Sequence, residues 1–365
     1  MLIASLESEA LYEKKRSCAA LPVRLGLLLT PRPVCRVYQP AKSEVSTRSA
    51  PRRATAPACL RTATGYSPGG IVHPVTETAA PMAATRDGVP LKSHHWPADG
   101  RARAHLLLVH GIAEHADRHA HVAARFARSG IETHAYDLRG FGASGGTRAY
   151  VDRWSQFYDD VEDELRAVRA AAGGSPVILY GHSMGGLIAL GYALSDRPRP
   201  DLLVLSAPAV GASIPAWKRT VAAILSRAMP RFSIANELAE GGLSHDPAVE
   251  AAYKSDPLNV HRTTARLGQE FIAEQARVQA DLAKRDALPM PTYVLHGVDD
   301  PIVPLKASAA LDGKRNVTRR VYPGLVHEMH NEPAGARVID DTATWLEGQL
   351  ARAADAPRNP GTGRM

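Results

Sequence analysis

A serine flanked by glycines is the residue whose setting most clearly suggests chemistry. The run GHSMG at 181–185 fits the pattern G-x-S-x-G and follows a predicted buried strand over 176–180. It opens a predicted helix over 184–194, which completes the strand–turn–helix context of a nucleophile elbow. The tight turn exposes the serine hydroxyl, and the glycines let strand and helix approach each other closely. The pattern therefore predicts Ser183 as a nucleophile.

A serine hydroxyl needs a base, and the base needs a carboxylate that orients it. Candidates follow two later predicted strands, in the order serine, acid, histidine that this arrangement requires. Asp299 and Asp300 follow a strand over 292–296, while His327 and His330 follow a strand over 317–322. Only one of two adjacent aspartates can face the histidine, and two histidines three positions apart compete for one role. The residues alone leave both choices open.

The oxyanion of an acyl-transfer reaction needs backbone donors. One donor is expected from the residue after the nucleophile, Met184, and the other from the loop after an early strand. That loop carries His110-Gly111-Ile112, and the glycine lets the backbone turn so that the Ile112 N–H faces the site. Loss of one such donor generally costs about 3 kcal/mol of transition-state stabilisation.

Buried strands alternate with amphipathic helices from about residue 82 onward, after a hairpin turn at Asp87-Gly88. The continuous apolar run AHLLLVH at 104–110 is typical of a strand covered on both faces. Helical spacing of Phe157, Val161 and Leu165 predicts a helix over 154–170. The same reasoning predicts further strands over 131–137 and 201–206, and further helices over 119–128 and 336–350. This rhythm predicts an α/β fold with a mostly parallel central sheet and helices on both faces.

The segment over 208–288 interrupts the rhythm, because it is helical and irregular and contains no convincing strand. It lies between two predicted strands, so it is an insertion above their carboxyl ends, where α/β sheets bind ligands. Its apolar run VAAILSRAMPRF at 221–232 fits equally a helix packed on the core and a lid over an apolar pocket.

Residues 1–81 differ in composition from the rest of the 365-residue chain. They hold 11 Lys and Arg against 5 Asp and Glu, and all three cysteines, Cys18, Cys35 and Cys59. Rich in Ala, Ser, Thr, Pro and Arg and without a sustained period, they are expected to be a disordered basic extension or to precede the true start at Met82. The remainder carries 33 basic and 32 acidic residues, so it has no net field that would favour nucleic acid. We expect one domain over 82–352 and a flexible tail over 353–365.

A glycine-rich loop is the main competing motif. Residues 140–145, GFGASG, fit G-x-G-x-x-G, but a dinucleotide site requires the glycines to open a helix directly, and this loop continues past Tyr150. The sequence contains no phosphate-binding P-loop pattern, and no histidine–carboxylate group has a convincing metal spacing. We therefore expect neither a metal nor an organic cofactor.

With these residues in place, the chain over about 85–350 resembles the bacterial monoacylglycerol lipase group of the α/β-hydrolase superfamily. The matching motifs are HGIAEHADRH (110–119), YDLRGFGASGG (136–146), GHSMGG (181–186), HGVDDPIVP (296–304) and YPGLVHEMHNEP (322–333). The resemblance implies Asp300 as the acid and His327 as the base. It also implies that Glu114, Arg118 and His330 hold the glycerol head group, and that the insertion is a mobile, lipid-facing cap. Residues 1–81 have no counterpart in the family.

These expectations together predict a serine esterase that cleaves monoacylglycerols into glycerol and fatty acid through an acyl-enzyme. A lysophospholipase or a broad carboxylesterase with the same catalytic residues is the alternative. These enzymes share the motifs, and the shape of the cap decides which substrate is bound. A hydrolase-fold binding protein without catalysis is a remote alternative, since all three triad positions are filled. The expected partner is a lipid ester, with transient membrane contact through the cap and no nucleic acid. Without a convincing signal peptide, the expected location is cytoplasmic and peripheral to the membrane.

Overall fold

Seven strands form the central sheet of the computed structural model, which describes residues 61–63, 75–77, 83–211, 216–236 and 241–355. The strands are β1 (Ser93–Trp96), β2 (Ala104–Val109), β3 (Ile131–Tyr136), β4 (Val177–His182), β5 (Leu202–Ser206), β6 (Ala287–Gly297) and β7 (Arg315–Tyr322). Their order across the sheet is β7-β6-β5-β4-β2-β3-β1. The edge strand β1 pairs antiparallel with β3, and the other pairs are parallel. The order places β4, which precedes Ser183, at the centre of the sheet.

Helices cover both faces of this sheet and explain why its central strands are so apolar. The helices are α1 (Ala120–Arg128), α2 (Ser155–Ala172), α3 (Met184–Ala193), α4 (Ala216–Ala228), α5 (Pro247–Ser255), α6 (Ala265–Ala283) and α7 (Gly335–Asp355). One core contains Leu107 with side chains of α2 and α3, and the other contains Leu106 with side chains of α1 and α7. Every residue of β2, β4 and β5 is buried, as expected of strands covered on both faces.

The predicted strands and helices are confirmed, with ends that differ by a few residues. The hairpin turn at Asp87-Gly88 is also confirmed, since Ala83–Ala84 pairs with Pro90–Leu91 and Gly88 has a φ of 81°. The last helix, α7, is longer than predicted and continues to Asp355. The flexible tail over 353–365 stays a prediction, and residues 356–365 lie outside the described part of the chain.

The insertion between β5 and β6 contains α4, α5 and α6. It also contains a short antiparallel pair, Ser233–Ala235 with Arg262–Thr264, so the expectation that this segment lacks strands is wrong. Strands of three residues are too short to show an alternation of polar and apolar residues, which is why the sequence did not reveal them. We refer to residues 208–288 as the cap.

A second short antiparallel pair joins Arg61–Ala63 to Val75–Glu77, within the N-terminal region where no strand was predicted. The rest of residues 1–81 lies outside the described residues. The expectation that this region is a disordered extension therefore stays a prediction, apart from these two strands.

Candidate active site

Ser183 lies on the sharp turn between β4 and α3, in a backbone conformation that non-glycine residues rarely adopt. Its φ is 53° and its ψ is −117°, a region that costs about 1–3 kcal/mol and recurs at functional sites. The surrounding glycines are required by space. A Cβ atom on Gly181 would overlap the carbonyl oxygen of Gly185, and one on Gly185 would overlap that of Val109. The predicted strand–turn–helix elbow is present.

Asp300 and His327 come together from the loops after β6 and β7, although 27 positions separate them. The Nδ1 of His327 and the Oδ2 of Asp300 are 2.7 Å apart, and both side chains are buried. The second carboxylate oxygen, Oδ1, accepts the backbone N–H groups of Ile302 and Val303 at 2.9 and 2.8 Å. These bonds hold the carboxylate plane toward the imidazole.

The adjacent Asp299 points elsewhere. Its Oδ2 accepts the backbone N–H of Gly324 at 2.9 Å in an exposed position. This bond joins the loop after β6 to the loop after β7 and leaves Asp299 away from His327. The geometry therefore favours Asp300 as the orienting carboxylate.

The charges of this pair stabilise one another. Burial opposes ionisation of Asp300, but the charge of His327 and the hydrogen bonds from His296, His327 and Val303 outweigh it and hold the pKa of Asp300 below its usual value. Burial alone would lower the pKa of His327. The charge and hydrogen bond of Asp300 have a larger, opposite effect, so the pKa of His327 lies above its usual value. An imidazolium formed during a reaction is therefore stabilised here.

Two backbone N–H groups are candidates for the oxyanion hole. Met184 is the first residue of α3, where helix N–H groups have no partner within the helix. Ile112 lines the same pocket as Ser183. The preceding residue, Gly111, is held tightly, because its N–H donates to the Oε1 of Glu114 at 2.5 Å.

The pocket at Ser183 combines an apolar part with a charged part. Its apolar side chains are Ile112, Leu243, Tyr253 and Ile302, and its polar ones are Glu114, Arg118, His182, Ser183, His327 and Glu328, with Gly111 between them. Two of these residues, Leu243 and Tyr253, come from the cap. The insertion thus forms part of the pocket wall.

Arg118 is the central charge of this pocket. Its guanidinium donates two bonds to the carboxylate of Glu328, at 2.8 and 2.7 Å, and a longer one of 3.3 Å to Glu114. The same group lies over the ring of Tyr253, 5.0 Å from the ring centre. Glu328 was missed in the sequence analysis, although its position directly after His327 could have indicated that it faces the site.

A family model described as "Serine aminopeptidase, S33" (Hydrolase_4) matches residues 100–334, which include every element that carries this site. The chain belongs to this family. The hydrolase assignment is consistent with a serine on an elbow and a buried His327–Asp300 pair in one pocket.

Individual relatives and solved structures within this family show which enzymes the chain is similar to. The monoacylglycerol lipase of Mycolicibacterium smegmatis is 36% identical over 272 residues, covering 72% of this chain and 95% of that protein. The crystal structure of a Paleococcus ferrophilus monoacylglycerol lipase has a TM-score of 0.63 at 25% identity, covering 71% of this chain and 98% of the other. A soluble variant of the Saccharomyces cerevisiae monoglyceride lipase shares the fold, with a TM-score of 0.65 at 24% identity and coverage of 78% and 97%. The α/β-hydrolase fold and the resemblance to monoacylglycerol lipases are thereby confirmed.

Glu114 and Arg118 line the pocket, as predicted, whereas His330 lies outside it. Its buried ring stacks on His119 with centroids 4.7 Å apart and contacts the edge of His182 at 5.1 Å, and it does not line the pocket. His327, rather than His330, bonds to Asp300. The expected contact of His330 with the head group therefore has no support from its position, whereas Glu328 bonds to Arg118 and lines the pocket.

The glycine-rich loop at 140–145 does not open a helix, because α2 begins only at Ser155. The loop closes on itself instead, since the carboxylate of Asp137 accepts the N–H of Ala143 at 2.8 Å. The loop therefore lacks the helix start that a dinucleotide site requires.

Proposed function

We propose that this protein hydrolyses the carboxylic ester of monoacylglycerols through an acyl-enzyme on Ser183. The observation that carries the proposal is a single pocket lined by Ser183, by the Asp300-bonded His327 and by the charged pair Arg118 and Glu328. A nucleophile with its base therefore lies next to a polar group suited to a hydroxylated head. The relatives named as monoacylglycerol lipases support the same substrate class.

The proposed reaction begins when the Nε2 of His327 takes the hydroxyl proton of Ser183 as Oγ bonds to the ester carbonyl carbon. The carbonyl electrons move onto oxygen, and the tetrahedral intermediate collapses with cleavage of the bond to the glycerol oxygen. Glycerol leaves with the proton from His327. A water molecule then gives its proton to His327 and attacks the acyl-enzyme, which releases the fatty acid and returns the proton to Ser183.

Backbone N–H groups of Ile112 and Met184 are proposed to stabilise the oxyanion in both steps. Removal of one such donor generally lowers kcat by about 10²–10³-fold. The hydrogen bond from Gly111 to Glu114 supports this role, because it fixes the loop that carries Ile112.

The charges near Arg118 support glycerol rather than a phosphate-bearing head. Arg118 already neutralises Glu328 and approaches Glu114, so two carboxylates surround one guanidinium. Carboxylate oxygens accept hydrogen bonds from glycerol hydroxyls, whereas a phosphate oxygen in this place would face two negative charges. This arrangement favours a monoacylglycerol lipase over a lysophospholipase.

The cap presents an apolar surface suited to lipid. Trp217, Val221 and Ile224 of α4 recur at helical spacing and are 61%, 45% and 60% exposed, and Met229 and Phe232 after the helix are exposed as well. Arg219, Arg227 and Arg231 are exposed among them. Apolar and basic side chains in this mixture are typical of helices that lie in a membrane interface. We propose that α4 contacts the lipid surface from which substrate enters.

No helix among the described residues is long and apolar enough to cross a membrane. The proposal concerns contact of α4 with the lipid surface only, and the cytoplasmic location stays a prediction.

The test is fatty acid and glycerol release by the full chain from a monoacylglycerol, from a lysophospholipid with the same acyl chain, and from a triacylglycerol. We expect the monoacylglycerol to be preferred and Ser183→Ala to abolish turnover and labelling by a fluorophosphonate probe.

Arg118→Lys tests the head-group contact. Lysine keeps the charge but cannot form the two parallel hydrogen bonds of arginine, so KM for the monoacylglycerol should rise while hydrolysis of a simple p-nitrophenyl ester changes little.

Each contrary result has a distinct meaning. Preference for the lysophospholipid would retain the triad and reject the head-group assignment. A probe-labelled protein with no ester turnover would reject the esterase proposal, and turnover that survives Ser183→Ala would reject the nucleophile.

A further inference from the structure

Three histidines and one glutamate gather on one face of the sheet, near its β1 edge. We call this group the edge cluster: His95 of β1, His105 of β2, and Glu132 and His134 of β3. In the strand register His95 lies opposite His134, and His105 lies opposite Glu132. Glu132 and His134 are two positions apart, so both point to the same face. The register therefore brings four possible metal ligands to one patch.

The ligand atoms of the edge cluster are already close to one another. The Oε1 of Glu132 is 2.8 Å from the Nε2 of His95, 3.7 Å from the Nε2 of His134 and 3.8 Å from the Nδ1 of His105. The His105 and His134 nitrogens are 3.2 Å apart. Ligands bonded at about 2.0–2.1 Å to a tetrahedral zinc ion lie about 3.3–3.4 Å from each other. The ligand atoms of His95, Glu132 and His134 all lie within 4.8 Å of one another, so modest side-chain movements would bring them to these separations, with His105 beside them as a possible fourth ligand.

The donor set also has the chemistry of a transition-metal site. Imidazole nitrogens with one carboxylate suit Zn²⁺, Cu²⁺ and Ni²⁺, whereas Mg²⁺ and Ca²⁺ prefer oxygen ligands only. The side chain of His95 is 28% exposed and that of His105 is 7% exposed. The cluster is therefore buried on the side of His105 and open to solvent on the side of His95.

We propose that the edge cluster binds one divalent transition-metal ion, with Zn²⁺ as the best-fitting member of this class. The cluster lies near the amino ends of β2 and β3, whereas the proposed catalytic residues follow the carboxyl ends of the strands. The ion is therefore structural and ties the edge strand β1 to β2 and β3. The ligands of this site come from three strands and have no recognisable spacing in the sequence, so no metal site was predicted there.

The test is a calorimetric titration of the full chain with ZnCl2, after EDTA treatment and with the cysteines of residues 1–81 blocked by iodoacetamide. We expect one equivalent to bind with a micromolar or lower Kd and to raise Tm. Glu132→Gln and His134→Asn should each weaken binding at least tenfold and remove the Tm increase. His261→Asn, which changes a histidine in the cap that packs on Tyr253, is the matched control and should bind as the unmodified protein does.

Absence of saturable binding would overturn the proposal, and so would equal affinity in Glu132→Gln and the unmodified protein. Circular dichroism of each metal-free variant checks folding. If His134→Asn does not fold, His95→Asn decides the question, because His95 is partly exposed and its loss as a ligand should still lower affinity at least tenfold. None of these outcomes depends on ester hydrolysis, so they do not bear on the proposed function.

Discussion

The Nδ1 of His110 donates a hydrogen bond of 2.7 Å to the carbonyl oxygen of Gly111. The other ring nitrogen, Nε2, accepts the backbone N–H of Leu138 at 2.8 Å, so the tautomer with its proton on Nδ1 satisfies both bonds. Burial lowers the pKa of His110 to about 4 and keeps the ring neutral. Because the Gly111 carbonyl and the Ile112 N–H belong to one peptide plane, His110 sets the direction of a proposed oxyanion donor.

Two substitutions of His110 separate these bonds. In His110→Asn, the side-chain amide nitrogen lies where Nδ1 was and can still donate to the Gly111 carbonyl. In His110→Gln, the side-chain oxygen lies where Nε2 was, so it can accept the Leu138 N–H but the bond to Gly111 is lost. We expect His110→Gln to lower kcat about tenfold or more, since an oxyanion donor is displaced, and His110→Asn to retain more activity. Steady-state kinetics with Tm measured in parallel test this. Equal kcat in both variants would contradict the positioning role.

The two adjacent aspartates give a matched pair of variants. Asp300→Asn should lower kcat by on the order of 10³–10⁴-fold, because the amide favours the wrong tautomer and no longer stabilises the imidazolium of His327. Asp299→Asn keeps an oxygen that can accept the Gly324 N–H, so its kcat should remain within about threefold of the unmodified protein. The reverse ranking would show that the carboxylates exchange roles in solution.

The acid limb of the pH profile should depend on Glu328. A base must be neutral, so kcat/KM should fall as pH drops below the pKa of His327, which the charge of Asp300 raises above its usual value despite burial. The charge of Glu328 contributes to that increase. Glu328→Gln should therefore move the acid limb to lower pH, while Asp299→Asn should leave it in place. An unchanged or upward-shifted limb in Glu328→Gln would show that another group controls it.

Two glycines should respond in opposite directions to alanine. A Cβ on Gly185 would overlap backbone oxygens of Val109 and His110, which cannot move without disturbing the elbow, so Gly185→Ala should lower the free energy of unfolding by about 1–3 kcal/mol. Gly348 lies inside α7, where an added Cβ would meet only the side chain of Arg352, at 3.9 Å, so Gly348→Ala should raise that free energy by about 0.5–1 kcal/mol. Urea unfolding measures both, and stabilisation by Gly185→Ala would show that the turn tolerates a side chain.

Local patterns in the sequence were sufficient for the elements of the fold and for the nucleophile. The strand before Ser183 is a continuous apolar run because it is buried on both faces, and the glycines of the elbow are set by contacts within a few residues. Such features depend on residues that are close together in the sequence, so the sequence alone is enough to predict them. The two three-residue strands of the cap leave no such mark and were missed.

The directions of side chains that follow the strands required the tertiary structure. Asp299 and Asp300 are neighbours in sequence, yet one bonds to Gly324 and the other to His327, according to how the loop turns after β6. Arg118 meets Glu328 across 210 positions. The sequence by itself determined which residues could do chemistry and the order of the elements that carry them. Only the packing of distant loops decided which of them face one another, because a loop dihedral is set by contacts that no short segment contains.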